Sequence, residues 1–162
     1  MTKNAVMVTG AASGIGYSCA RDLLRDGVSV VAADIGDIPI ALMEAGDCLA
    51  QTFDISSPDA CKSGVSEACD KFGGLSALIH FAGIHHTKTW EEGDADDFAR
   101  LMAVNVTGSF LIAQAVPETM RETGGAIVLT ASSGVELGGA VYQLESLDSW
   151  MNAFAGASSR QI

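Results

Sequence analysis

The sequence predicts an α/β fold: a doubly wound parallel sheet in three layers, with helices on both faces. Three observations carry that expectation. Five short apolar runs, Ala5–Val8, Val28–Ala33, Cys48–Phe53, Leu75–Phe81 and Ala126–Thr130, recur along the chain, and runs of this kind read as strands covered on both faces. Stretches of helical period separate them, and alternating strand and helix is the pattern of a parallel sheet joined by crossover helices. A glycine cluster, Gly10, Gly14 and Gly16, follows the first strand, where such a fold turns sharply from strand to helix.

Each element has its own local signature. After the first strand, Ile15, Cys19, Ala20 and Leu23 share one face of a helix that Gly27 is placed to end. The second strand leads into Asp34. After the third, Ser57-Pro58 opens a helix, serine as the cap and proline at the first position, where its missing N–H does no harm. Cys61 and Cys69, eight residues apart on that helix, share a face and read as core. Beyond the fourth strand, the acidic stretch Glu91–Asp97 reads as a solvated helix start whose carboxylates complement the helix dipole. That helix runs from about Asp94 to Val116 and stops at Pro117. Phe98, Leu101, Asn105 and Ile112 share one of its faces, so a carboxamide is inserted among core side chains and must find partners there. The fifth strand leads into Ala131-Ser132-Ser133. Leu147, Trp150, Met151 and Phe154 then stand at amphipathic helical spacing.

The totals narrow the function classes. A chain of 162 residues, 48% hydrophobic, has material for one domain with a core, here residues 1–162. Its net charge of −11 argues against nonspecific binding to nucleic acid or to an anionic membrane surface, both of which need a cationic face. No run is read as approaching the roughly 18 apolar residues of a membrane span. The four cysteines form no C-x-x-C pair and read as reduced thiols, and the N-terminal apolar run is too short for a signal peptide, so a cytoplasmic location is expected. His85-His86 has no i,i+4 partner, and the acidic stretch lacks the spacing of a calcium loop, so no metal site is expected.

The glycine turn is better explained by an anion. The first backbone N–H groups of a helix lack internal partners, and the dipole adds partial positive charge there, which suits a diphosphate even on an acidic protein. Gly10 would permit the tight turn, Gly14 the approach of phosphate to the backbone, and Gly16 close packing of helix on strand. Asp34 lies 18 residues after Gly16, at the end of the second strand, where a carboxylate can accept hydrogen bonds from an adenosine ribose. It would repel a 2′-phosphate, and its neighbours Ala33, Ile35 and Gly36 supply no cation, so NAD is favoured over NADP. The plain alternative is an aspartate that only ends a strand.

Thr9-Gly10-Ala11-Ala12-Ser13-Gly14-Ile15-Gly16 resembles the Thr-Gly-x3-Gly-Ile-Gly turn of the short-chain dehydrogenase/reductase family, which has a Rossmann-like fold. The resemblance extends to about Ser133. It implies that Thr9, Gly10, Ser13, Gly14, Ile15, Gly16 and Asp34 belong to the cofactor site and that Asp54 and Ile55, in Phe53-Asp54-Ile55, reach the adenine. It also implies a cofactor role for Ala82 and Gly83, although His80-Phe81-Ala82-Gly83 replaces both asparagines of the family's Asn-Asn-Ala-Gly. Asn105, in Asn105-Val106-Thr107-Gly108, matches the asparagine that anchors a water in a proton relay. Ser133, with Ser132 as the fallback, matches the serine that polarises a substrate carbonyl.

The same resemblance implies hydride transfer between NAD(H) and a small alcohol or carbonyl compound, with a tyrosine exchanging the proton and a lysine four residues later easing its ionisation. It implies as well a homo-oligomer that pairs its long helices. Tyr142 is the only tyrosine after Ser133, yet Ser146 stands four residues beyond it and the last lysine is Lys88. The expected explanation is a missing stretch around Ala140–Leu147, with the family's final strands absent too. Two other readings are a nucleotide-binding regulator or assembly module without catalysis, and a methyltransferase using S-adenosylmethionine. The latter also places glycines after the first strand and an acid after the second, but leaves Asn105-Val106-Thr107-Gly108 and Ser132-Ser133 unexplained.

Overall fold

A computed structural model describes residues 5–85, 92–116, 120 and 124–130. In chain order these form β1 (Ala5–Thr9), α1 (Gly14–Arg25), β2 (Val30–Asp34), α2 (Ile40–Ala45), β3 (Cys48–Thr52), α3 (Pro58–Phe72), β4 (Leu75–His80), α4 (Ala95–Leu101), a π-helical stretch Met102–Gly108, α5 (Ser109–Ala115) and β5 (Ala126–Leu129). The strands make one sheet in the order β3-β2-β1-β4-β5, with every neighbouring pair parallel.

Side chains that alternate along β1 to β4 supply two separate cores, as double-faced apolar runs require; β5 departs from that expectation, adding Ile127 to one core while Val128 on its other face is half exposed. Met7, Val31 and Leu78 point to the face covered by α3 and α5, where Val65, Phe72 and Ile112 complete the packing. Val8, Val30 and Ala32 point to the opposite face, against Ala20 and Leu24 of α1 and Leu42 of α2. The six-residue α2 was not expected, because a short helix with a single buried anchor, Leu42, gives no periodic signal.

The helix starts follow the sequence signals. Ser57 Oγ accepts the Ala60 N–H at 3.3 Å ahead of Pro58. Asp94 accepts the N–H groups of Asp96 and Asp97 at 3.0 and 2.9 Å, while the Asp97 carboxylate accepts the Asp94 N–H, a reciprocal capping box.

The long helix from Ala95 departs from expectation in two ways. Its middle is π-helical, and Leu101, Asn105, Ser109 and Ile112 are buried along it, whereas Phe98 is 38% exposed in the first turn beside the solvated acidic start. By length and composition alone, the 21 residues Ala95–Ala115 could also cross a membrane, which the expectation of no such run did not foresee. Here the helix packs with α3 over the sheet and places Leu101 and Ile112 among the fully buried side chains.

Candidate functional site

The strand order sets the site. The chain leaves β1 for β2 and β3 on one side, then crosses back to β4 on the other, so the crevice beyond the carboxyl ends of β1 and β4 lies at a topological switch point. A cleft of about 590 Å³ opens there. Its lining includes Gly10, Ser13, Gly14, Ile15, Gly16, Asp34, Asp54, Ile55, Ala82 and Gly83, ten of the residues expected at a cofactor site.

The three glycines do different things. Gly10 has φ +72°, and a Cβ there would stand 2.8 Å from the Ala82 nitrogen and the Phe81 carbonyl carbon, so the turn is pressed against the end of β4. A Cβ on Gly16 would collide with the Gly10 carbonyl oxygen. Gly14 has φ +55°, lines the cleft, and has no atom of the described residues beyond its chain neighbours within 4 Å of where a Cβ would stand. The Ser13 hydroxyl makes no capping bond to α1, and the first turn of that helix carries no acidic residue to offset its positive end.

Asp34 does more than end a strand. Its carboxylate accepts the Ala12 N–H and the Gly36 N–H, each at 3.0 Å, which ties the glycine turn to the end of β2 and holds the acid at the edge of the cleft. Asp54 accepts both the N–H and the hydroxyl of Ser56 at 2.8 Å and is otherwise exposed; Ile55 is buried below it.

Thr9 and Asn105 lie behind the lining. Thr9 is fully buried, and its hydroxyl oxygen accepts the Ala82 N–H at 3.3 Å. The Asn105 carboxamide accepts the Ile84 N–H at 2.8 Å and donates to the Ile84 carbonyl at 2.9 Å, and Gly83 leaves room for it, since a Cβ there would stand 3.2 Å from Asn105 Oδ1. The buried carboxamide thus finds its partners on the chain leaving β4. His80 sits between these two residues: Nδ1 is 2.6 Å from Thr9 Oγ1 and Nε2 is 2.9 Å from Ser109 Oγ. Burial alone pushes its pKa down to about 4, so the ring is neutral.

Several lining residues were missed by sequence reasoning: Ile35, Phe53, Ile84, Thr130 and Arg100, which carries the one cationic side chain on the lining among the described residues. Ile35 adjoins Asp34 in sequence and could have been found from it. Arg100 gives no such signal, because its place on the lining depends on the tertiary position of α4. Ser132, Ser133, Tyr142, His86, the stretch around Ala140–Leu147 and the helix expected at Leu147–Gly156 lie outside the described residues.

Comparison with known proteins bears on the whole constellation. The chain is 31% identical over 133 residues to 2,5-dichloro-2,5-cyclohexadiene-1,4-diol dehydrogenase of Sphingobium indicum, covering 78% of this chain and 53% of that protein. It is 33% identical over 140 residues to 3-alpha-(or 20-beta)-hydroxysteroid dehydrogenase of Mycobacterium bovis, covering 83% and 53%. The chain therefore spans about half the length of the curated relatives it matches. The fold is similar to that of an NADH-dependent reductase crystallised with NAD, with a TM-score of 0.83 at 24% identity over 94% of this chain and 70% of that one. The short chain dehydrogenase family model matches residues 4–144, a span that includes the glycine turn, Asn105 and β5, and these comparisons support neither the methyltransferase nor the regulator alternative. The chain belongs to the short chain dehydrogenase family.

Proposed function

We propose that this chain carries the dinucleotide-binding part of an oxidoreductase that moves a hydride between NAD(H) and a small alcohol or carbonyl compound. The residues present fit the cofactor. The space beside Gly14 admits a diphosphate to the uncapped start of α1, and the held Asp34 carboxylate is placed to accept the ribose hydroxyls. NAD, when bound, supplies the carbon that accepts or returns the hydride.

The protein's own contribution is to hold and orient. Gly10, Gly14 and Gly16 present main-chain N–H groups; Asp34 selects the unphosphorylated ribose and so favours NAD over NADP; Asp54 and Ile55 flank the adenine end. Ala82 and Gly83 form the wall at the end of β4, and Asn105 fixes that wall through Ile84. By resemblance, Ser133 holds the substrate oxygen and Tyr142 exchanges its proton, with Asn105 in the relay behind them. An unassisted phenol titrates near pH ~10, so without a lysine four residues on, Tyr142 is a poor base at neutral pH. The four free cysteines and the net charge of −11 support a reducing, cytoplasmic setting and argue against nucleic acid or membrane partners.

The observation that carries this reading is Asp34, held by two main-chain N–H groups at the mouth of the glycine turn. Titration calorimetry of the 162-residue chain should show NAD binding at least about tenfold more tightly than NADP, a difference of roughly 1.4 kcal/mol. Asp34→Ala should erase the preference. No heat with NAD or NADH from folded protein, or an unchanged preference in Asp34→Ala, overturns the proposal.

A further inference from the structure

The hydrogen bonds around His80 have only one consistent sense. The Ser109 hydroxyl donates its single hydrogen to the Asn105 main-chain carbonyl at 2.6 Å, a common bond from a helical serine to the carbonyl four residues back. Its oxygen can therefore only accept from His80, so Nε2 carries the proton. In a neutral ring Nδ1 is then the acceptor, and the Thr9 hydroxyl must donate to it. The Thr9 oxygen remains to accept the Ala82 N–H. At the other end, Asn105 grips both main-chain polar groups of Ile84.

These bonds close on themselves. They run from Ala82 through Thr9, His80, Ser109 and Asn105 to Ile84, and the chain from Ile84 back through Gly83 to Ala82 completes the ring. Ala82, Gly83 and Ile84 all line the cleft.

We propose that His80 is a positioning residue: through its Nε2-protonated tautomer it joins the two holders of the Ala82–Ile84 wall, Thr9 and Asn105, into one closed hydrogen-bonded ring that sets where the wall stands. The ring stands on geometry alone, while its consequence for nucleotide affinity rests on the function proposed above. Among the described residues, the polar side chains bonded to the imidazole are Thr9 from β1 and Ser109 from α5, and no charged group contributes to its low basicity. A doubly protonated ring would break the sequence of donors, because the Thr9 hydroxyl hydrogen would then face a second donor.

The test is nuclear magnetic resonance on the uniformly 15N-labelled 162-residue chain at neutral pH. Long-range 1H–15N correlations should show His80 as the Nε2–H tautomer. Ser109→Ala should shift the His80 nitrogen resonances and speed amide exchange at Ala82 and Ile84 by about tenfold, leaving β2 amides unchanged. If Ser109→Ala does not fold, Thr9→Val at the opposite side of the ring carries the same expectation. An Nδ1–H tautomer, unchanged exchange at Ala82 and Ile84, or equal acceleration in β2 would each overturn the ring. NAD titration of the same samples separates the two readings: an intact ring in protein that does not bind NAD sinks the nucleotide assignment and leaves His80 its role.

Discussion

Replacing Gly10 and Gly14 separately by alanine should damage the protein in different ways. Both residues have left-handed backbone angles, φ +72° and +55°, and placing an L-residue there costs about 1–2 kcal/mol at either position. At Gly10 the new methyl also meets Ala82 nitrogen and Phe81 carbonyl carbon at 2.8 Å, main-chain atoms at the end of β4 that cannot rotate aside. Overpacking of that kind adds about 1–3 kcal/mol, so Gly10→Ala should lose roughly 2–5 kcal/mol in all, a large part of an ordinary domain's stability. At Gly14 no atom of the described residues beyond its chain neighbours lies within 4 Å of the added methyl, so only the backbone term applies. The methyl would instead occupy the space assigned to the diphosphate. Urea unfolding followed by circular dichroism measures the first effect and NAD calorimetry the second. Gly14→Ala should lose only the backbone term of about 1–2 kcal/mol in urea unfolding yet bind NAD at least about tenfold more weakly. Equal stability losses in the two variants would refute the packing argument, and wild-type NAD affinity in folded Gly14→Ala would refute the assignment of the diphosphate.

Three further outcomes are expected. His80 is neutral in the fold with a pKa near 4 against 6.5 for a free histidine, so below 6.5 the unfolded chain binds the extra proton and the fold resists it. Stability contributed above pH 6.5 is therefore lost as pH falls toward 4, about 3 kcal/mol over the window, and His80→Gln should flatten that part of the urea-midpoint profile; an equally steep profile in the variant would show that other groups control it. Asn105→Ala leaves both main-chain groups of Ile84 without their side-chain partner and should lower stability by about 2–4 kcal/mol in the same assay, with a loss below 0.5 kcal/mol counting against the clamp. The 162-residue chain, in which no lysine follows Lys88, should bind NAD but oxidise simple secondary alcohols negligibly, as read by absorbance of NADH, and sustained turnover would show that Tyr142 needs no lysine.

Much of the fold was legible because its signals are local. Each strand announced itself by a run of apolar residues a few positions long, and the observed bounds differ from the expected ones by one or two residues, as at β2, which begins at Val30 and keeps Asp34 as its last residue. Ser57-Pro58 and the acids around Asp94 marked helix starts because capping is settled within four residues. The glycine turn and Asp34 were legible for the same reason: a turn that needs positive φ and a strand that ends on a carboxylate are written in consecutive residues.

What the residues by themselves determined, then, is the alternation of strand and helix, the glycine turn and the acid beside it. Only the tertiary structure decided which strands are neighbours, and with that which distant side chains meet. Thr9 and His80 pair across β1 and β4, 71 residues apart in sequence, and no periodicity in either strand encodes that register. The replacement of the family's asparagine by His80 was visible from the outset, but its partners were not. They come from β1, across the sheet, and from α5, beyond a π turn whose extra width no hydrophobic pattern announced. Local chemistry is carried by neighbours along the chain, whereas a buried polar ring exists only once the sheet has brought its members together and excluded the water that would otherwise satisfy them.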